Sequence, residues 1–167
     1  MNETNEMRGC LTLRVSDREG RVIHEQPCKN RIVTSGRLLV AQLFGGVETG
    51  APPTPVTHMA VGTGGGTPPQ DDDVALQNQR GDRKEIGPVE YVPFADPNSD
   101  GIMRVRATLT AEFDYDEANG QGDDTDPLRE AGVFNAASEG VMYNRVIFPD
   151  VTKTNAFKLT LIWDIVF

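Results

Sequence analysis

The chain has 167 residues and a formal net charge of −9, with 38% hydrophobic and 25% charged residues. This fits one β-rich domain, 1–167, burying about 70% of the surface its unfolded chain exposes, and it is not a disordered composition. No apolar run approaches the ~20 residues of a membrane helix, and no element concentrates lysine and arginine as a nucleic-acid binder would. The polar stretch Met1–Arg8, with Glu3 and Glu6, is not read as a secretory signal.

The first elements are a stripe of Leu11, Leu13 and Val15 and a return over Arg21–Gln26, joined about Asp17–Gly20. With Gly20 in the left-handed position, this hairpin would set Cys10 and Cys28 nearly opposite each other. A bridge is then possible, but two reduced, half-buried thiols are the expectation for a protein made in the cytoplasm. Two cysteines make neither a disulfide framework nor a four-ligand zinc site.

Ser35 to Phe44 reads as a helix, with Ser35 as its N-cap and Gly45-Gly46 as its stop. Leu39/Leu43 and Val40/Phe44 are four apart, and only Arg37 and Gln42 are strongly polar, so this helix is expected to be mostly buried. Gly/Pro-rich or acidic loops follow at 45–55, 62–73, 95–101 and 116–127. Thr57–Val61, Lys84–Val92, Leu128–Phe134 and Val141–Phe148 are strand candidates, and Val74–Gln77 is a possible helical turn. Alternation is clearest at Met103, Val105, Ala107, Leu109, Ala111 and Phe113, and again at Phe157, Leu159, Leu161, Trp163, Ile165 and Phe167. The fold class is all-β, an antiparallel sandwich with one short buried helix (35–44) and long Gly/Pro-rich loops.

Catalytic chemistry is not apparent. His24 and His58 lack a second ligand at metal spacing, and Gly62-Thr63-Gly64-Gly65-Gly66 lacks the Lys-Ser/Thr of a phosphate loop, leaving a flexible turn. Asp96, Asn98 and Asp100, with Gly101, match the first half of a calcium loop, but Ala107 occupies the position of the bidentate glutamate. A turn between strands is the better reading, and no metal or other cofactor is expected. Asp114, Asp116, Glu117, Asp123, Asp124 and Asp126 form an acidic loop that reads as solvated surface. Glu130 lies in an apolar strand, and a buried carboxylate demands a partner, for which Arg145 is the candidate. A structural ion pair is expected there, not a catalytic acid.

Several segments carry a resemblance by their order: Asn30-Arg31-Ile32-Val33-Thr34-Ser35-Gly36-Arg37, Met59-Ala60-Val61-Gly62-Thr63-Gly64, Asp73-Val74-Ala75-Leu76, Arg129-Glu130-Ala131-Gly132-Val133-Phe134, Arg145-Val146-Ile147-Phe148 and the closing Leu161–Phe167. From about Asn30 to Phe167 the chain resembles small structural proteins of tailed bacteriophages, of the tail-fibre, baseplate or virion accessory type. The resemblance implies a virion component made in the host cytoplasm, present in several copies and docked on other virion proteins and on itself. It implies no enzymatic turnover, nucleic-acid partner or membrane partner. There is no long fibrous repeat, so a short docking, collar, decoration or baseplate component fits better than a complete fibre. The alternative is a glycan- or receptor-binding module on the particle surface, with Tyr91, Tyr115 and Tyr143 as platforms. A wall hydrolase ranks third, since its acid and nucleophile cannot be named. The loops, 45–55 and 62–73 above all, are expected to be mobile in the free protein and ordered by neighbouring subunits.

Overall fold

In the computed structural model, which describes residues 7–97, 101–120 and 125–167, the alternating stripes become two antiparallel five-stranded sheets. Sheet A has the order β2-β1-β10-β7-β6, formed by β1 (Arg8–Ser16), β2 (Val22–Lys29), β6 (Glu90–Ala95), β7 (Met103–Phe113) and β10 (Lys158–Val166). Sheet B has the order β3-β9-β8-β4-β5, formed by β3 (Arg31–Ile32), β4 (His58–Gly62), β5 (Lys84–Glu85), β8 (Leu128–Phe134) and β9 (Met142–Val151). The fold is thus all-β and sandwich-like, with one helix, α1 (Thr34–Gly45).

The core lies between the sheets. Leu11, Leu13, Leu109, Phe113, Leu161 and Trp163 from sheet A meet Met59, Val61, Ala131, Val133 and Val146 from sheet B. Burying these stripes supplies the main drive for folding, at about 25 cal/mol per Å² of apolar surface removed from water. A smaller cluster of Val33, Ala60, Phe134 and Met142, with Leu76 packed on it, occupies the other face of sheet B. That face is covered by chain, which explains the near-continuous burial along β8 and much of β9.

Several sequence expectations need correction. The hairpin forms about Gly20, which has φ +78°, but β1 and β2 change register between Val15 and Ser16. This bulge places Cys28 opposite Leu11 and Lys29 opposite Cys10, so the two cysteines point to opposite faces and remain free thiols. The helix begins at Thr34 with Val33 as N-cap, and the Ser35 hydroxyl donates to the Met142 carbonyl instead of capping. It is not a buried helix. Only Gly36 and Leu39 are buried, while Leu38 and Leu43 are exposed and Phe44 is 97% exposed. Gly36 is required because a Cβ there would fall 2.0 Å from the Tyr143 carbonyl oxygen on β9.

Lys84–Val92 is not one strand. Pro88 lies between β5, on the edge of sheet B, and β6, on the edge of sheet A, so the segment carries the chain from one sheet to the other. Val74–Gln77 forms no helical turn. Val105, expected in the core, is 41% exposed for reasons given below.

Trp163 is fully buried between the sheets. Trp163→Ala should therefore lower unfolding free energy by about 3–5 kcal/mol in a denaturant titration. A loss below about 1 kcal/mol would mean that the site collapses around the truncation or that Trp163 is not a core residue.

Candidate functional site: a buried ionic clamp and an uncovered apolar face

Glu130 on β8 and Arg145 on β9 share the outer face of sheet B and are both fully buried. Arg145 Nε donates to Glu130 Oε2 at 2.9 Å. The same carboxylate accepts the backbone N–H of Gln77 at 3.1 Å and of Asn78 at 2.8 Å. Arg145 Nη1 donates to Asp73 Oδ2 at 2.9 Å and to the Thr67 carbonyl at 3.4 Å. One ion pair therefore holds the segment between β4 and β5 at several points. Two ions taken out of water persist only when their remaining hydrogen-bonding capacity is met, and here backbone groups of the loop meet much of it.

The glycine run follows from this enclosure. A Cβ at Gly64 would lie 2.5 Å from both Gln77 Cβ and Glu130 Oε1. The run is thus a close-packed lid over the carboxylate, not the flexible turn expected. The far side of the loop is tied down as well. Thr63 N–H donates to the Asn78 carbonyl, Arg80 N–H to Val61, and Thr34 N–H to Asp71. Arg31 grips Asp71 through two bonds of 2.7 and 2.8 Å, which holds the Asp71 carboxyl below its usual range. These bonds anchor residues 62–73 on sheet B and on the start of α1.

Asp96 serves a second ion-paired site. It follows β6 directly, and its Oδ2 accepts from Arg104 Nε at 2.9 Å and also from Arg8 Nη2. Two guanidiniums already compensate the oxygen that a calcium loop would present. Asn98 and Asp100, the other members of that candidate, lie outside the described residues, as do Asp123 and Asp124 of the acidic loop. Among the described residues, no group of three or more His, Cys, Asp or Glu side chains is arranged to hold a metal ion. In the rest of the acidic loop, Glu117 is bound by Lys84 at 2.7 Å, and Asp114 lies 3.7 Å from Lys158. A polar cleft of about 550 Å³ between 78–84 and 113–119 contains Lys84 and Glu117 as this mutual pair, alongside Arg80, Asp82, Arg83 and Asp116. His58 bonds to the Thr57 hydroxyl at 2.8 Å, and His24 is exposed on β2.

A bare apolar face at one end of sheet A leaves no signal in the local sequence pattern. In β7, Ala107 to Phe113 alternate into the core, but Val105 and Met103, on the same face, are 41% and 65% exposed. Their cross-strand neighbours share that face: Pro93 opposite Val105, Tyr91 opposite Ala107, and Phe167, which exchanges both backbone hydrogen bonds with Val105. Tyr91 is 68% exposed, and Phe167 is also exposed. Among the described residues, no layer covers these inward-pointing side chains. Arg104, on the opposite face of the same strand, is buried by its pairing with Asp96. Strand parity thus holds while the burial it normally implies is reversed.

Of the tyrosines considered as platforms, Tyr91 is open. Tyr143 is buried, and its hydroxyl is pushed up to about 12 by desolvation. The Tyr115 ring is flanked by the Arg18 guanidinium at 4.6 Å and the Lys158 ammonium at 5.3 Å. Comparison with protein-family models, curated proteins and solved structures yields no match for this chain.

Arg145→Met leaves the Glu130 carboxylate buried without its cation and should cost about 3–5 kcal/mol in unfolding free energy. Proteolysis between 64 and 80 should accelerate beyond the change caused by an equally destabilising core variant. Equal cleavage in the two variants would show that Arg145 does not hold the loop. Calcium binding should be absent, because two guanidiniums occupy the Asp96 oxygen. Melting curves with excess calcium and with chelator should superimpose, and a calcium-induced rise would show a ligand of the folded state.

Proposed function

We propose that this protein is a non-enzymatic, multi-copy structural subunit of a tailed-phage particle, placed in the tail, baseplate, collar or fibre-attachment region. On this reading it docks on other virion proteins and on copies of itself, not on nucleic acid or membrane. The order of sequence motifs from Asn30 to Phe167 motivates the particle assignment. The observation that carries the docking role is the uncovered inward face of sheet A, where Tyr91, Met103, Val105 and Phe167 stand exposed together. Contiguous exposed apolar surface of this kind is uncommon on proteins that act alone and is typical of contact sites.

The exposed end of α1, with Leu38, Leu43 and Phe44, offers a second apolar contact beside the loop 45–55. Pro93 lies within the edge strand β6 and removes a backbone donor there. Docking on sheet A would therefore use the apolar face in preference to strand addition along the edge. The net charge of −9 would keep free subunits apart before assembly. A glycan-binding module remains the alternative class, and the buried or cation-flanked positions of Tyr143 and Tyr115 lend it little support.

The test is quantitative mass spectrometry of purified particles from a host carrying the gene. The protein should be present at a fixed stoichiometry to other virion proteins, and Met103→Glu with Phe44→Glu should lower incorporation by about tenfold or more without shifting the melting temperature of the free subunit. Absence from the particles would overturn the assignment. Full incorporation of the double variant would overturn the contact surface.

A further inference from the structure

A basic groove lies where the chain crosses from β2 in sheet A to β3 in sheet B. It has a volume of about 900 Å³, and its lining includes Arg8, Lys29, Arg31, Arg37 and Arg106 against only two carboxylates, Asp71 and Asp164. Both carboxylates are engaged, Asp71 by Arg31 and Asp164 by the Thr108 hydroxyl at 2.6 Å. Arg8 is paired with Asp96. Lys29, Arg37 and Arg106 form no ion pair among the described residues. Arg37 acts on Asp71 only through its field, and the Arg106 guanidinium lies 5.8 Å from the centre of the Phe94 ring, so among the described residues three cations without an ion-pair partner border one concavity of a strongly acidic chain.

Two further features distinguish this groove from a merely solvated basic patch. Asn30 lines it, and both its carboxamide oxygen and its nitrogen are shielded from water without a hydrogen-bond partner; Arg106 Nε is likewise unpartnered. Polar atoms in that condition are few in folded proteins and call for a partner. The lining also includes the apolar side chains Met7, Ile32, Phe94 and Val166.

We propose that this groove binds a carboxylate-rich peptide segment of a partner protein. Aspartate or glutamate side chains of the segment would pair with Lys29, Arg37 and Arg106, and its apolar side chains would lie against Phe94 and Val166. Such a segment offers both carboxylates and apolar side chains to this mixed lining, whereas a phosphodiester backbone offers anionic oxygens alone. This inference concerns a site separate from the apolar face of sheet A and does not depend on the particle assignment.

The test uses the isolated full chain and fluorescence anisotropy of a labelled dodecapeptide of glutamate, aspartate and leucine. Binding should saturate and weaken as salt rises. Lys29→Glu with Arg37→Glu, both at exposed positions, should reduce affinity by about tenfold or more. The melting temperature of the double variant must match the parent; if it does not, Lys29→Gln with Arg37→Gln replaces it in the same titration. A scrambled peptide with lysine in place of the acids should not bind. No binding of the acidic peptide, equal binding by the folded charge variants, or tighter binding of a double-stranded DNA oligonucleotide would each overturn the proposal. Because no particle enters the assay, these outcomes are independent of whether the protein is found in virions.

Discussion

The outer face of sheet B depends on one constraint: Glu130 and Arg145 are both charged residues with no exposure to solvent. Such a pair is stable only inside a shell of further hydrogen bonds, and the sheet cannot supply that shell itself. The loop between β4 and β5 supplies most of it, through Gln77 and Asn78 N–H groups to the carboxylate and through Asp73 and Thr67 to the guanidinium, and leaves Arg145 Nη2 buried without a hydrogen-bond partner among the described residues. Once fixed there, the loop places Leu76 on the small core around Phe134 and Met142 and brings Asp71 to the start of α1. The returning chain lies along β4, with a bridge between Gly62 and Gln79 and the β5 pairing at His58 and Met59, so it covers an edge that would otherwise be open.

The two sheets are consequently treated differently. Sheet B carries a closed layer on its outer side, whereas sheet A leaves part of its inner side bare beyond Ala107. The closed layer accounts for order within the chain. The bare end and the exposed tip of α1 are where the proposed contacts with other subunits would add the missing layer. The basic groove sits at the crossing between the sheets and brings a different chemistry, with cationic side chains set beside apolar ones. A subunit with chemically distinct contact sites can bind more than one kind of neighbour without the sites competing.

Much of this fold was legible in the sequence. β7 over Met103–Phe113 and β8 over Leu128–Phe134 have the bounds that alternation and turn residues indicate. The Glu130–Arg145 pairing could be anticipated because a carboxylate in an apolar strand needs a cation. The remaining features depend on long-range relations that local pattern does not encode. The exposure of Val105 and Met103 depends on what covers that end of sheet A, which no residue in β7 records. The apolar residues of α1 read as a buried helix, but only the face containing Gly36 and Leu39 meets β9. A single bulge between Val15 and Ser16 separated two cysteines that simple hairpin register would place together. The glycine run reads locally as freedom of the backbone, whereas Gly62 and Gly64 admit a carboxylate and a second chain segment at close range. The basic groove escaped notice because Arg8, Lys29, Arg37 and Arg106 are scattered along the chain and converge only through the β2-to-β3 crossing.

Native-state hydrogen exchange at the Gln77 and Asn78 amides tests the clamp most directly. Both N–H groups donate to the buried Glu130 carboxylate and to no sheet ladder, although the Asn78 carbonyl accepts the Thr63 N–H and Gln79 bridges Gly62 of β4. If the ion pair holds the loop as described, these amides should be protected nearly as strongly as amides in β8 and β9 and should exchange only with global unfolding. Exchange at the rate of exposed loop amides, with β8 and β9 still protected, would contradict the account, because the loop would then open while the sheet stayed folded.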